Sequence, residues 1–99
     1  MSVRLKILFA HSALSDLEKV LEFYNEKKIP HVGERLVQEV LKDIKLLSEQ
    51  PDIGKKVPEF DLKYLRELIR PPFRIIYRRD IDKVRIVRVW RSERLLILP

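Results

Sequence analysis

Ninety-nine residues, 45% hydrophobic and 36% charged, describe a single globular domain, because two separate cores would each fall near the size at which burial becomes marginal. Apolar runs far too short to cross a bilayer, zero cysteines and two isolated histidines exclude a membrane span, disulfides, thiolate sites and a zinc constellation, so no metal, cofactor or membrane role is expected. The net charge of +6 is lopsided: residues 1–50 carry eight basic and eight acidic side chains, and residues 51–99 carry thirteen and seven, which favours a polyanion or an acidic protein partner. The N-terminal apolar run meets Asp16 and Glu18 at once, so it reads as a strand and not a signal peptide, and the expected compartment is the cytoplasm.

Residues 3–9 (VRLKILF) alternate loosely and have the β-branched and aromatic content of a first strand. Ser12 as N-cap, with Ser15-x-x-Glu18 resembling a capping box, predicts a helix start between Ser12 and Asp16. Leu14, Leu17, Val20, Leu21 and Tyr24 form its apolar stripe, and it ends near Lys27 or Lys28, where cations suit the negative end of the dipole. Ile29-Pro30 breaks the chain, and Pro30 suits the first turn of a second helix with a wide apolar face of Val32, Leu36, Val37, Val40, Leu41, Ile44 and Leu47. So short a connector folds the helices back antiparallel. His11 and His31 fall at the two helix starts and read as surface or capping residues. Gln50-Pro51 stops the second helix, Asp52-Ile53-Gly54 supplies a turn, and residues 55–61 read as a loop.

The stretch 64–94 interleaves three apolar runs with nine of the chain's eleven arginines. Phe73, Ile75 and Tyr77 alternate with Arg74, Ile76 and Arg78, and Val84 and Ile86 with Arg85 and Val87, which is strand periodicity. Pro71-Pro72 separates the first run from the second, and residues 79–83 join the last two as a hairpin loop. The expectation is an α+β domain of order β-α-α-β-β-β, its helical hairpin packed on one face of a mainly antiparallel sheet and its other face open and studded with guanidinium groups. Tyr77 and Trp90 read first as core aromatics, Trp90 with a secondary part in a partner groove. The apolar tail at 95–99 is expected to continue a strand, cover the sheet edge or await a partner.

Element order and motifs together, P-D-I-G-K at 51–55, V-P-E at 57–59, R-E-L-I at 66–69, F-R-I-I-Y-R at 73–78 and V-W-R-S-E-R-L at 89–95, resemble the RelE/ParE toxin superfamily over nearly the whole chain. The resemblance implies the toxin half of a bacterial type II toxin–antitoxin system, of the kind linked to plasmid stabilisation, neutralised by a cognate antitoxin and meeting operator DNA only through it. RelE-like members cleave mRNA in the ribosomal A site, whereas ParE-like members inhibit DNA gyrase.

RNA cleavage needs cations on the developing phosphorane charge and a proton acceptor and donor at either end. Arg74, in Arg74-Ile75-Ile76-Tyr77, matches the charge-stabilising strand arginine of the RNA-cleaving branch, and Glu59 matches the acidic base of one subgroup. Glu59, Arg66, Arg74 and Arg91 are the candidates under that reading. A C-terminal His or Tyr, common in that branch, is replaced here by Ser92, Glu93, Arg94, Leu95 and Leu96, and guanidinium groups are poor proton shuttles at neutral pH. The favoured expectation is therefore a ParE-like, non-enzymatic gyrase inhibitor whose target-binding residues are Arg66, Arg70, Arg74, Arg91 and Arg94. The alternatives are a ribosome-dependent endoribonuclease acting on mRNA and a degenerate binding module.

Overall fold

The structure, a computed structural model, describes residues 4–91; Arg94 and the apolar tail at 95–99 lie outside the described residues. The elements are β1 (Lys6–Phe9), α1 (His11–Glu26), α2 (Pro30–Leu46), β2 (Lys55–Lys56), β3 (Leu65–Arg70), β4 (Phe73–Arg79) and β5 (Lys83–Arg91). They build a five-stranded sheet in the order β1-β5-β4-β3-β2 with the helical hairpin on one face. This is the expected α+β architecture with two additions. Lys55–Lys56, expected to be loop, pairs antiparallel with Arg66 and Glu67, and β1 crosses over through both helices to pair parallel with β5.

Alternation in β4 and β5 decides which residues meet the helices. Phe73, Ile75, Tyr77, Val84, Ile86 and Val89 face them and join Ala13, Leu17, Val40, Ile44 and Leu47 in one buried cluster, to which β1 adds Leu5, Ile7 and Phe9. Fully burying each such side chain stabilises the fold by roughly 1.5–3 kcal/mol. Leu14, expected in the apolar stripe of α1, is 46% exposed, because the row that meets the sheet runs Ala13, Leu17, Val20. The opposite face is less open than expected. Val57, Phe60 and Leu62, from the segment linking β2 to β3, cover Leu65, Ile76, Val87 and Trp90 in a second cluster, because an apolar patch on β3 to β5 would otherwise face water.

The helix ends also depart from expectation. α1 starts one residue before Ser12, and its N-cap is Ala10, with no side-chain cap bond. Ser12 is used elsewhere: its hydroxyl donates to the Val87 carbonyl at 2.6 Å. That carbonyl belongs to a β-bulge, since Ile76 pairs with Arg88 and Tyr77 with Ile86, leaving Val87 unmatched. One helical turn on, the carboxylate of Asp16 accepts from the Val89 N–H at 3.0 Å and from Arg88 Nε and Nη2 at 2.8 and 2.7 Å. The first two turns of α1 thus satisfy the Val87 carbonyl and the Val89 N–H of β5, beyond the last residue of β1.

α1 closes with a Schellman motif. The Ile29 N–H donates to the Tyr24 carbonyl at 2.9 Å and the Lys28 N–H to that of Asn25 at 3.0 Å. Such a motif needs a left-handed residue, normally glycine, and here Lys28 holds it at φ 64°. α1 ends at Glu26, with Lys27 as C-cap and no basic residue in its last turn, and the expected end near Lys27 or Lys28 was silent about this strain. An L-residue in that region costs about 1–2 kcal/mol, partly offset by glycine's greater entropy loss on folding. Lys28→Gly is therefore expected to stabilise the chain by about 0.5–1 kcal/mol, measured as an increased urea midpoint at unchanged slope; a decrease would contradict this account of the turn.

Candidate functional site

β4 places Arg74 on the face away from the helices, next to the segment that carries Glu59. Its side chain is 8% exposed, and so isolated a cation would be costly to bury. It is instead enclosed by carboxylates. Nη1 and Nη2 each donate at 2.7 Å to the two oxygens of Glu59, while Nε donates at 3.0 Å to Glu67 Oε2, which Nη2 also contacts. Hydrogen bonding to Glu59, against desolvation and with help from Glu67, holds the guanidinium pKa well above its ordinary value. Lys55 Nζ lies 3.7 Å from the other oxygen of Glu67, so among the described residues the cluster contains two cations and two anions.

Arg66, Arg70 and Arg91 stand apart from it. Arg66 and Arg70 project to the helical side of β3. Arg66 Nη1 donates to the carbonyls of Asp52 and Gly54 at 3.2 and 2.8 Å, and Arg70 makes a two-pronged contact with Asp43 of α2 at 2.5 and 2.8 Å. Arg91 lines a groove of about 550 Å³ between α1 and the far half of β5, with Val20, Phe23, Tyr24, Phe73 and Trp90. The guanidinium-studded face expected from the sequence is therefore divided: Arg66 and Arg70 of β3 lie on the helical side, and Arg74 and Arg78 of β4 on the other. Of the residues considered for RNA cleavage, only Glu59 and Arg74 meet.

Tyr77 explains the P-D-I-G run. Its hydroxyl donates to the Pro51 carbonyl at 2.8 Å and accepts from the Gly54 N–H at 2.9 Å. A Cβ at Gly54 would lie 2.5 Å from that hydroxyl, so the turn tolerates no side chain there. Asp16–Arg88 and Asp43–Arg70 were not anticipated, yet a signal existed: both acids stand at core-facing spacing beside Leu17 and Ile44, where an unpaired carboxylate would be excluded. His11 and His31 are exposed at the starts of α1 and α2. Among the described residues no group of three or more His, Cys, Asp or Glu could hold a metal ion, and no helix is long and apolar enough to cross a membrane.

A family model described as "ParE toxin of type II toxin-antitoxin system, parDE" matches residues 7–96. No curated protein matches. Among solved structures, the chain is similar to one titled as the chromosomal ParDE system of P. aeruginosa (TM-score 0.75, 23% identity, 93% of this chain and 100% of that one). It is also similar to a chain of the RelBE2 toxin–antitoxin complex of Mycobacterium tuberculosis (0.64, 25%, 91% and 100%). A third likeness is to the YoeB dimer of Staphylococcus aureus (0.53, 24%, 88% and 95%).

Removing the Arg74 charge alone leaves Glu59 and the buried Glu67 facing each other, and Arg74→Met is expected to cost about 3–5 kcal/mol of stability by chemical denaturation. Adding Glu59→Gln and Glu67→Leu should recover most of that loss, which would not happen if Arg74 stabilised the fold through its aliphatic stem.

Burial raises the Tyr77 pKa above its ordinary 10, outweighing the hydrogen bond from Gly54. The phenol stays neutral in the folded chain at a pH where it would ionise in the unfolded one. Its contribution is thus fully present below about pH 10 and is lost as pH rises through the folded value. Stability measured across that window should fall less in Tyr77→Phe than in the parent; parallel curves would remove Tyr77 as the cause.

Proposed function

Because the chain belongs to the family of ParE toxins of type II toxin–antitoxin systems, we propose that it acts in the cytoplasm on DNA gyrase, without a cofactor, and is held inactive by a cognate antitoxin. The single observation that carries the binding mode over a chemical one is the two-pronged pairing of Glu59 with a buried Arg74. Both carboxylate oxygens of Glu59 accept charge-assisted bonds from the two terminal nitrogens of Arg74. A proton passed to Glu59 from a ribose hydroxyl would weaken its two bonds to the guanidinium, and Arg74 would have to loosen its hold on the carboxylates to reach a phosphate with more than one N–H. A binding surface requires neither rearrangement.

The antitoxin contact is assigned to the groove between α1 and β5. Its apolar lining of Val20, Phe23, Tyr24 and Phe73, rimmed by Lys19 and Arg91, suits an amphipathic acidic segment that folds as it binds. The neighbouring structures are titled as a ParDE system and a RelBE2 complex, which supports a toxin–antitoxin pairing and leaves target choice to the site.

A second reading, as a ribosome-dependent endoribonuclease, is favoured by the same meeting of Glu59 with Arg74, the two residues that the RNA-cleaving branch would use. One experiment separates them. The purified chain is expected to inhibit supercoiling by gyrase, with inhibition relieved by a cognate antitoxin, and to leave ribosome-bound mRNA intact. Codon-positioned cuts in A-site mRNA, lost in a folded Glu59→Gln variant together with unaffected gyrase, would establish the second reading instead.

A further inference from the structure

The far end of the open sheet face carries a cationic cluster that neither reading uses. On β1, Leu5, Ile7 and Phe9 face the helical core, so Lys6 and Leu8 project to the other face. On β5, Val84 and Ile86 are buried in that core, so Lys83 and Arg85 do the same, as does Arg78 on β4. The register sets these cations side by side: Lys6 opposite Lys83 and Arg78 opposite Arg85. Neighbouring strands lie about 4.8 Å apart and alternate residues about 7 Å along a strand, so four cations occupy a patch of about 10 by 7 Å. Like charges directly opposite are destabilising, and two such pairs stand together.

The local carboxylates offset this only in part. Asp80 accepts from Arg78 Nε at 2.9 Å and Asp82 lies 3.8 Å from Lys83 Nζ. Lys6 and Arg85, both exposed, have no ion pair within the same limit among the described residues. Beside them the Arg78 guanidinium lies 4.9 Å from the centre of the Tyr64 ring, which is 45% exposed. Arg70, Arg74 and Arg88, by contrast, are answered by Asp43, by Glu59 with Glu67, and by Asp16.

We propose that Lys6, Lys83, Arg85 and Arg78, with the Tyr64 ring, form a binding surface for a single-stranded nucleic acid, the cations on successive phosphates and the ring against a base. Charge complementarity selects a polyanion, and the exposed aromatic beside the cations selects bases over carboxylates, since base stacking on an aromatic is tolerant of sequence. The surface is independent of the Glu59–Arg74 cluster, so it stands or falls separately from the choice between gyrase and ribosome.

The test is fluorescence anisotropy of the full chain with a labelled short oligouridylate and its deoxy counterpart, titrated over a range of salt. The decisive variant is Lys6→Thr/Arg85→Thr, which leaves no carboxylate unpaired and keeps strand propensity; its cooperative melt is checked alongside. Arg35→Ala/Lys42→Ala, on the exposed side of α2, removes the same charge elsewhere. Tenfold or greater weakening at low salt and a salt slope shallower by about 1.4, or 0.7 per cation, are expected for the first and little change for the second. A Tyr64→Leu variant should weaken binding with the slope unaltered. Equal losses in the two charge variants would reduce the effect to net charge and overturn the proposal. So would loss of adhesion to phosphatidylglycerol vesicles or polyglutamate in the first variant with oligonucleotide binding unmoved, or no binding of either oligonucleotide at low salt. A stronger grip on the RNA than on the DNA, or the reverse, identifies which strand the surface takes.

Discussion

The molecule depends on a guanidinium that ought not to be where it is. Arg74 is buried on the strand at the centre of the sheet, and burying a cation is unfavourable unless its bonds are answered. Glu67 answers from β3, and Glu59 answers from the segment between β2 and β3. Neither acid would fold into that position alone. Fastening Glu59 brings Val57, Phe60 and Leu62 down over Leu65 and Ile76, and the same segment leads back to the turn held by Tyr77. An apolar trio of similar volume would often hold a core as well. Once one member is in place, however, the other two are obligatory, and the path of residues 57–67 is fixed by that requirement.

The same device recurs between layers. Asp43 of α2 grips Arg70 of β3, and Asp16 of α1 grips Arg88 of β5, each through two nearly parallel hydrogen bonds that set orientation as well as distance. Arg88 in turn lies over the Trp90 ring, 4.2 Å from its centre. Counting arginines therefore overstates the chain's external field. Arg70, Arg74 and Arg88 are internal fastenings, and the positive surface that remains among the described residues is carried by lysines and by the other arginines.

Much of this architecture could be read from one dimension, because alternation and helical spacing are local. Pro30 at a helix start, the Pro71-Pro72 turn and the apolar sides of β4 and β5 all follow from neighbours a few residues apart. What escaped was set by partners far apart in the chain. Arg70 meets Asp43 at a separation of 27 residues and Arg88 meets Asp16 at 72; no periodicity reports such pairs. Ser12 was misread for the same reason, since a serine near a helix start is a good cap until a distant carbonyl claims its hydroxyl. Two residues of β2 carry too little pattern to distinguish strand from loop, and a parallel β1 shows only when the whole crossover is built.

The treatment of β5 beyond Ile86 has a consequence for the chain's behaviour in a crowded solution. β1 is spent after Phe9, so the outer margin of β5 would present bare peptide groups, the template on which foreign strands add and amyloid-like stacking begins. Ser12 supplies the donor and Asp16 the acceptor that an adjoining strand would have offered. A helix cannot be extended sideways by another strand as a sheet can. By letting two side chains of α1 impersonate a backbone, the fold closes the stretch of β5 margin at Val87 and Val89 to an incoming strand.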